Sequence, residues 1–457
     1  MSRIKRPANR LARKFSHFNT PLLIKHKFIP RGRISLLGDK SITHRALILS
    51  ALSYGRTILK NFPLHDDALA TLNALKALGV KVLRKNGVVY VSGRTGRGLI
   101  APKRPVFVDN SGTTMRLLLG VLAGMNFKTK IIAGKYLSAR PMSRVNVPLR
   151  LMGAQITARI KNREEYAPVS IKGGRLKGIV YRPKVASAQV KSAILLAGLF
   201  AQGKTTLVER FGTRDHTERM LKLFGANIRV NKNRITLNPG RNLVSPGAIY
   251  IPGDISSAAF FIVLAAIIPK SRIIIEHSSL NPGRIGIIKV LKRMQVKIKV
   301  VKDKAVCNNF EPSGNLMISA SKLKGTVVNP GQIPSLIDEL PILMVAACFA
   351  QGTTLIKGVG ELRVKETDRI NSMVVNLKKM GADIRVEKVR GFENIVITGR
   401  GRLYGASLKS FGDHRSAMSL VVAAQAAQGD SELDDIGCIN KSFPGFLKKL
   451  GSLNRKK

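Results

Sequence analysis

The stretch ALKALGVKV (residues 74–82) ends an amphipathic segment with Leu-Gly and continues into a short apolar run. Glycine after the last apolar turn is a typical helix stop, so this stretch predicts a helix end followed by a strand. The stop recurs at positions 79, 153, 225, 295, 381 and 451, so successive copies are 74, 72, 70, 86 and 70 residues apart. The chain is therefore built from six copies of one unit. The other copies are PLRLMGAQI (148–156), MLKLFGANI (220–228), VLKRMQVKI (290–298), NLKKMGADI (376–384) and FLKKLGSL (446–453).

A more apolar segment of helix length precedes the amphipathic segment in every copy. These runs are rich in Ala and Leu, so we expect helices that are buried nearly all round. Two helices and several short strands in about 70 residues form an α/β building block, and six such units divide three and three into two similar domains. The apolar runs are ITHRALILSALSYG (42–55), TTMRLLLGVLAG (113–124), AQVKSAILLAGLFAQG (188–203), SSAAFFIVLAAIIP (256–269), IDELPILMVAACFAQG (337–352) and HRSAMSLVVAAQAAQG (414–429).

Two turn-rich junctions, SLLGDKS (35–41) and IYIPGDISS (249–257), are candidate crossovers between the domains. If the chain crosses at both, residues 38–251 form an inserted domain, and residues 1–37 and 252–457 together form a domain from the two chain ends. The chain stops soon after the sixth helix end, so we expect the sixth unit to lack its last strand.

The composition narrows the class of protein. The 457 residues carry a net charge of +52, which is typical of proteins that bind nucleic acid. However, 44% of the residues are hydrophobic, which excludes a disordered polycation. Three scattered cysteines suggest neither disulfides nor a zinc site. The longest apolar run, residues 258–268, is shorter than the roughly 20 residues of a membrane span.

We expect a cytoplasmic monomer. Its first 38 residues, with ten Lys or Arg and no acid, predict a basic leader or, alternatively, an organelle presequence.

Polar residues precede all six buried helices and suit their N-caps. Capping alone accounts for Asp254 and Ser256. It does not account for Lys40, Arg45 or Arg116, because cations in a first turn oppose the positive end of the helix dipole. Free N–H groups and a nearby cation form a phosphate or carboxylate site, so the repeated pattern predicts a convergent anion site.

Two further segments concentrate charge, TRDHTERML (213–221) and ELRVKETDRI (361–370). On a helix, Lys365 and Arg369 would share one face, with Glu366 set about 100° away. The alternative is a solvated, salt-bridged helix face.

Nine stretches in a fixed order resemble the family of 5-enolpyruvylshikimate-3-phosphate (EPSP) synthases, or 3-phosphoshikimate 1-carboxyvinyltransferases, in its SAQ-type class. The resemblance implies two domains of three βαβαββ units each, with an active-site cleft between them, the enolpyruvyl transferase fold. The stretches are GDKSITHRALIL, NSGTTMRLL, ARPMSRVNVPLRLMGA, VASAQVKSAILLAGL, TRDHTERML, IDELPILMVAA, ELRVKETDRI, DHRSAMS and SFPGFLKKLG, between residues 38 and 451.

The resemblance also implies a reaction, in which the enolpyruvyl group of phosphoenolpyruvate moves to the 5-hydroxyl of shikimate 3-phosphate and phosphate leaves. This step serves chorismate and aromatic amino-acid biosynthesis, and it uses no metal and no organic cofactor. The partners implied are these two small molecules, with no specific nucleic acid and no membrane.

The family's binding residues carry over to matching positions of this chain. Ala188 replaces a serine found in other members, and Arg214 is a candidate to replace its phosphate contact. Gly112 implies sensitivity to the herbicide glyphosate, as in members with glycine at this position. The residues implied on the shikimate 3-phosphate side are Lys40, Ser41, Arg45, Ser187, Gln189, Arg214, Asp338 and Lys365. Those implied around phosphoenolpyruvate are Lys40, Gly112, Arg140, Gln189, Arg369, Arg415 and Lys441.

The implied chemistry needs a base for the 5-hydroxyl and an acid for the methylene carbon. We expect Asp338 to take the hydroxyl proton, with Lys40 able to share this role, and Glu366 to protonate the methylene and later remove that proton. Two alternatives are less favoured. A UDP-N-acetylglucosamine enolpyruvyl transferase has Lys-Asn where this chain has Lys40-Ser41, and usually a catalytic cysteine in a basic loop. A nucleic-acid-binding protein would interleave aromatic residues with its cations.

Overall fold

The computed structural model describes residues 21–25, 28–96, 98–210, 212–302, 310–389 and 391–454. Most of the predicted basic leader, and Cys307, lie outside the described residues. All twelve predicted helices are present. In chain order they are α1 (Lys40–Leu52), α2 (Asp66–Ala77), α3 (Gly112–Ala123), α4 (Ser143–Leu151), α5 (Ala188–Gly198), α6 (His216–Leu223), α7 (Ile255–Ile267), α8 (Gly286–Arg293), α9 (Leu340–Cys348), α10 (Arg369–Lys379), α11 (His414–Ala426) and α12 (Phe446–Gly451).

The strands are short and fall between the helices as the repeat predicts. In chain order they are β1 (Leu22–Ile24), β2 (Arg31–Ser35), β3 (Arg56–Lys60), β4 (Lys81–Lys85), β5 (Val88–Ser92), β6 (Val106–Phe107), β7 (Lys128–Ile132), β8 (Gln155–Lys161), β9 (Glu164–Lys172), β10 (Leu176–Lys177), β11 (Val180–Tyr181), β12 (Ala201–Gln202), β13 (Thr205–Val208), β14 (Asn227–Asn231), β15 (Arg234–Asn238), β16 (Ala248–Tyr250), β17 (Arg272–Ser279), β18 (Lys297–Lys302), β19 (Ser313–Ser319), β20 (Val327–Val328), β21 (Gln351–Ile356), β22 (Asp383–Val389), β23 (Phe392–Arg400), β24 (Ser407–Leu408) and β25 (Ser431–Leu433).

Five four-stranded sheets share one topology, in which a parallel edge strand pairs with an antiparallel three-strand set. In the sheet β16-β3-β5-β4, for example, Ile58 lies between Ala248 on the parallel side and Tyr90 on the antiparallel side. The other four sheets have the orders β6-β7-β9-β8, β11-β13-β15-β14, β2-β17-β19-β18 and β20-β21-β23-β22. The repeated topology confirms the repeated unit predicted from the spacing.

Two edge strands pair with sheets far away along the chain. β2 precedes the first candidate crossover and pairs with β17, while β16 precedes the second crossover and pairs with β3. The two crossovers run side by side, since Gly38 and Gly253 form a bridge and the Asp39 amide donates to the Pro252 carbonyl at 2.8 Å. Each edge strand therefore pairs within its own half, and the chain passes from one half to the other at these junctions.

The sixth sheet has three strands, in the order β1-β25-β24. No strand follows α12 in the part of the chain that the structure describes. The antiparallel partner comes instead from the N-terminal segment, where Leu22 lies opposite Leu433 and Ile24 opposite Ser431. β1 is not predictable from the sequence, because three apolar residues between Pro21 and Lys25 are too few to show a strand alternation.

Two separate hydrophobic cores account for the two halves. One core gathers apolar residues between positions 42 and 251 around α1, α3 and α5. The other gathers Ile24, Ile34, Leu36 and apolar residues from position 255 onward around α7, α9 and α11. We propose domain boundaries at residues 37/38 and 251/252, which these cores support. Among the described residues, no helix is long and apolar enough to cross a membrane.

The first core depends on a close crossing of α3 and α5. A Cβ added at Gly120 of α3 would lie 2.2 Å from the Ala193 carbonyl oxygen of α5, which is far inside van der Waals contact. We expect Gly120→Ala to lower the free energy of unfolding by about 1–3 kcal/mol, because the helices must separate. Urea unfolding measures the change. Gly451→Ala is the matched control, since a Cβ there meets nothing within 4 Å. Equal unfolding midpoints for the two variants would contradict the prediction.

Candidate active site

A cavity of about 490 Å³ lies between the two domains. Its wall includes the starts of helices from both domains, among them those of α1, α3, α5, α10 and α11, together with residues of the connecting loops. Arg45 and Lys441 are predicted site residues that do not line it. The twelve that do are Lys40, Ser41, Gly112, Arg140, Ser187, Gln189, Arg214, Asp338, Lys365, Glu366, Arg369 and Arg415.

The first turn of α1 provides Lys40 and Ser41. Lys40 Nζ donates to Asp67 at 2.9 Å, at the start of α2. Burial alone would raise the pKa of Asp67, but Lys40 holds it below its ordinary value, so the two groups form an ion pair. The Ser41 hydroxyl accepts from Arg214 at 3.3 Å.

Arg45 lies one turn further along α1, behind the cavity wall. Its guanidinium donates to Thr217 and to Ser192, each at 2.6 Å, and to the Ser41 carbonyl at 2.8 Å. Burial lowers the pKa of Arg45 to about 10, so it remains charged at neutral pH. In this structure Arg45 supports the Ser41 backbone and ties α1 to α5 and α6.

The starts of α3 and α5 meet through a side-chain amide. Gln189 accepts from Arg116 at 2.6 Å and donates to the Thr113 hydroxyl at 2.8 Å. Ser187 caps α5 by accepting from the Val190 amide at 3.4 Å. The Gln189 amide is therefore oriented from both ends before any ligand arrives.

Four guanidiniums surround the Asp338 carboxylate, which directly precedes Glu339, the N-cap residue of α9. Arg214 donates to it, and Arg284 and Arg369 each lie 3.5 Å from one of its oxygens. Arg415 lies 3.7 Å away. Burial alone would raise the pKa of Asp338, but the four cations together hold it well below its ordinary value. Asp338 is therefore ionised at neutral pH and can accept a proton.

Glu366 lies between cations of both domains. Arg369 donates to it at 2.5 Å, and Arg140, from the inserted domain, lies 3.6 Å away. Burial would raise the pKa of Glu366, but Arg369, Arg140 and Lys441 hold it well below its ordinary value. Lys441 also lowers the pKa of Asp67, so it acts on the site by its charge from outside the cavity wall.

The prediction that Lys365, Glu366 and Arg369 share a helix was wrong. A 3-10 helix covers Gly360–Val364, and α10 begins only at Arg369. Asp368 caps α10 by accepting from the Asn371 amide at 3.0 Å, which interrupts any continuous helix. Lys365 and Glu366 instead lie in the short connection between the 3-10 helix and α10, and both residues line the cavity.

Lys365 also takes part in a bridge across the mouth of the cleft. Glu361 lies 3.5 Å from Lys365 and 3.2 Å from Arg144 of the inserted domain. Burial lowers the pKa of Lys365, although Glu361 and Asp338 oppose this shift. Together with the pairs Arg140–Glu366 and Arg214–Asp338, this bridge links the two domains by charge.

Several residues that line the cavity are not among the predicted site residues, including Asp67, Asn110, Arg144, Arg284 and Glu361. Arg116 was recognised as a cation opposing its helix dipole, but it was not assigned to the site. The acidic residues resembled ordinary first-turn residues of a helix, and Arg284 follows a turn-like Asn-Pro-Gly. Asp254 caps α7 as predicted and also lines the cavity.

Comparison with known proteins assigns this site to a family. A sequence model described as EPSP synthase (3-phosphoshikimate 1-carboxyvinyltransferase) matches residues 30–450. The chain belongs to the EPSP synthase family. The match confirms the resemblance found in the motifs, and it spans all six repeated units.

Relatives named 3-phosphoshikimate 1-carboxyvinyltransferase match the EPSP synthase family member described here over nearly its whole length. The protein from Thermoanaerobacter sp. (strain X514) is 43% identical over 94% of this chain and 99% of its own. The protein from Syntrophomonas wolfei subsp. wolfei is 46% identical over 93% of this chain and 97% of its own.

Solved structures agree with this family and fold. EPSP synthase from Acinetobacter baumannii superposes with a TM-score of 0.83 at 40% identity, covering 95% of this chain and 98% of its own. The enolpyruvyl transferase NikO from Streptomyces tendae has a TM-score of 0.74 at 16% identity, covering 96% of this chain and 98% of its own. NikO supports the fold alone, and together the two confirm the predicted enolpyruvyl transferase fold.

Proposed function

We propose that this chain transfers the enolpyruvyl group of phosphoenolpyruvate to the 5-hydroxyl of shikimate 3-phosphate and releases phosphate. Each substrate carries a phosphate and a carboxylate, so the ternary complex brings four anionic groups into one cleft. The observation that carries the proposal is a cation-rich cleft that holds the two carboxylates Asp338 and Glu366 together with six cations proposed to bind the substrates. The cations are Lys40, Arg140, Arg214, Lys365, Arg369 and Arg415.

Shikimate 3-phosphate is proposed to bind along α1 and α5. Backbone N–H groups of a helix start and nearby cations favour a phosphate. Ala188 offers no hydroxyl, and Arg214, which already reaches the Ser41 hydroxyl, is suited to replace the missing contact. The residues proposed for this substrate are Lys40, Ser41, Arg45, Ser187, Gln189, Arg214, Asp338 and Lys365.

Phosphoenolpyruvate is proposed to bind between the two domains, where Arg140 faces Arg369 across Glu366. Planar guanidiniums match phosphate and carboxylate groups with two parallel hydrogen bonds, which fixes orientation as well as charge. The residues proposed for this substrate are Lys40, Gly112, Arg140, Gln189, Arg369, Arg415 and Lys441.

The proposed chemistry uses the two carboxylates in turn. Asp338 takes the proton of the 5-hydroxyl, with Lys40 able to share this role, while the oxygen attacks the central carbon of phosphoenolpyruvate. Glu366 gives a proton to the methylene carbon, and a tetrahedral intermediate forms. Phosphate then leaves with the hydroxyl proton, and Glu366 recovers its proton from the methyl group, which restores the double bond. The surrounding cations stabilise the charge that develops.

We propose that the reaction proceeds without an organic cofactor or a metal, because it has no redox step and the Lys and Arg side chains of the cleft are suited to stabilise the charge that develops. We further propose that the protein works as a monomer in the cytoplasm, with no specific nucleic-acid partner. Size-exclusion chromatography with light scattering tests whether the protein is a monomer, and a mass of about twice 49.8 kDa would contradict this proposal.

Phosphate release tests the proposed function directly. Purified protein is given phosphoenolpyruvate with shikimate 3-phosphate, and each substrate is omitted in turn. Release only with both substrates present is the expected result. The same assay with UDP-N-acetylglucosamine as acceptor tests the related transferase, and release with that acceptor alone would contradict the proposal.

Gly112 lies close to two guanidiniums of the proposed phosphoenolpyruvate pocket, so a larger residue does not fit there without a shift. A Cβ at this position would lie 2.9 Å from Arg116 Nη1 and 3.1 Å from Arg140 Nη1, so both guanidiniums would have to shift. We expect Gly112→Ala to raise the KM for phosphoenolpyruvate by about tenfold, since misplaced cations weaken binding.

Gly112→Ala should also weaken inhibition by glyphosate, to which we expect the wild type to be sensitive. Steady-state kinetics with and without millimolar inhibitor measure both effects. A wild type that ignores the inhibitor would contradict the second expectation.

A further inference from the structure

Arg284 lies between β17 and α8, and only 2% of its surface is exposed. Its Nη2 donates to the Ser256 hydroxyl at 2.5 Å and lies 3.4 Å from Asp254. Its Nη1 lies 3.5 Å from Asp338 and 3.7 Å from Glu339. Burial alone would lower the pKa of Arg284, but the surrounding carboxylates raise it above its ordinary value. The guanidinium is therefore a permanent buried cation.

The carboxylates around Arg284 stand at the starts of three helices. Asp39 caps α1 and lies 3.8 Å from the guanidinium, while Asp254 caps α7. Glu339 is the N-cap residue of α9 and also accepts from the Ser256 hydroxyl. Because α1 belongs to one domain and α7 and α9 to the other, Arg284 joins both domains at the floor of the cleft.

Arg284 differs from the other cations near Asp338 in what else it binds. Arg214, Arg369 and Arg415 are the guanidiniums we propose to hold substrate phosphates and carboxylates. Arg369 is as buried as Arg284, but its other partners are Glu366 and Asp413, whereas the Nη2 of Arg284 hydrogen-bonds the Ser256 hydroxyl and Asp254 at the start of α7. Of the four guanidiniums around Asp338, Arg284 is thus the one that we do not assign to a substrate anion.

We propose that Arg284 is a positioning residue, which aims the Asp338 carboxylate at the sugar hydroxyl and keeps it charged until it takes the hydroxyl proton. This inference rests on the proposed function, because it concerns the base of that reaction. A guanidinium held by several partners loses little further freedom when it orients one more carboxylate. The other charged groups that act on Asp338 or share its environment are Arg214, Arg369, Arg415, Lys365 and Glu339.

The test is the pH dependence of kcat for Arg284→Gln and Arg284→Lys. A base works only above its own pKa, and removing a neighbouring cation raises the pKa of a carboxylate. We therefore expect Arg284→Gln to move the acidic limb of the profile upward by about one to three pH units. The KM values for both substrates should change by less than about threefold, because no proposed substrate contact is lost. Arg284→Lys keeps the charge and should move the limb less.

A milder variant covers the case in which Arg284→Gln does not fold. Ser256→Ala removes the 2.5 Å hydrogen bond that anchors the guanidinium but leaves every charge in place. It should move the acidic limb in the same direction by a smaller amount. Thermal unfolding of each variant separates this effect from a loss of folded protein.

Three outcomes decide the inference. An upward shift of the limb that is larger in Arg284→Gln than in Arg284→Lys supports it. A folded Arg284→Gln with the wild-type profile, or with a uniform loss of kcat at every pH, overturns it and leaves the proposed function standing. A wild-type protein that releases no phosphate from the two substrates overturns the proposed function and this assignment together.

Discussion

Asp338→Asn should lower kcat by about 10²–10⁴-fold, the usual contribution of a positioned general base. Asparagine has nearly the same shape but cannot take the hydroxyl proton. The change also removes the negative charge that four guanidiniums share, those of Arg214, Arg284, Arg369 and Arg415. The cleft therefore becomes more positive, and we expect the substrate anions to bind as tightly as before or more tightly.

Steady-state kinetics and equilibrium binding of shikimate 3-phosphate separate these two effects. The matched control is Asp383→Asn, because Asp383 is an exposed carboxylate that pairs with Arg400 at 3.3 Å, away from the cleft. The control should keep the wild-type kcat. Loss of substrate affinity in Asp338→Asn in proportion to the loss of kcat would contradict the base role, since a base lost from a preserved site affects kcat first.

Glu366→Gln should lower kcat by a similar factor of about 10²–10⁴, because glutamine cannot give a proton to the methylene carbon. The structure adds a condition to this role. Arg369, Arg140 and Lys441 hold the pKa of Glu366 low when the cleft contains no substrate, so the side chain then has no proton to give. The phosphate and carboxylate of phosphoenolpyruvate neutralise these cations on binding, which raises the pKa of Glu366 and lets it take up a proton.

Exchange with solvent provides a direct measurement of this proton transfer. A methylene carbon that is protonated and deprotonated by one side chain incorporates deuterium when the reaction runs in heavy water. Mass spectrometry should detect this label in the product of the wild type and in that of Glu387→Gln. Glu387 is an exposed control that pairs with Arg385 at 2.8 Å. A labelled product formed by Glu366→Gln at the wild-type rate would rule out Glu366 as the acid.

The repeated unit was predictable because each copy obeys local rules. Apolar runs of helix length, glycine stops and a constant spacing are all short-range features, and every predicted helix is present. The left-handed backbone at Gly79, Gly153, Gly225 and Gly381 agrees with the predicted stops. Gln295 adopts the same backbone without being glycine, whereas Gly451 lies within α12, so the pattern did not hold in every copy.

The candidate site was predictable where cations oppose a helix dipole and where family motifs match. It was not predictable where a contact joins distant segments that look ordinary by themselves. Arg284 is the clearest example, because the residues next to it in the sequence do not indicate that four carboxylates surround it in the fold. Lys365 and Glu366 show the opposite error, since a regular spacing suggested a helix that the Asp368 cap interrupts.

The pairing of β1 with β25 determines when each half of the molecule can be completed during synthesis. Ribosomes release the chain from its N-terminus, and domains generally fold as units as they emerge. The core residues between positions 42 and 251 are available early, apart from Phe310, which also packs into that core. Leu22 must wait for Leu433, so the domain built from both chain ends closes last. The first strand of the described chain is therefore among the last to be paired, since Leu22 pairs with a residue about 400 positions later.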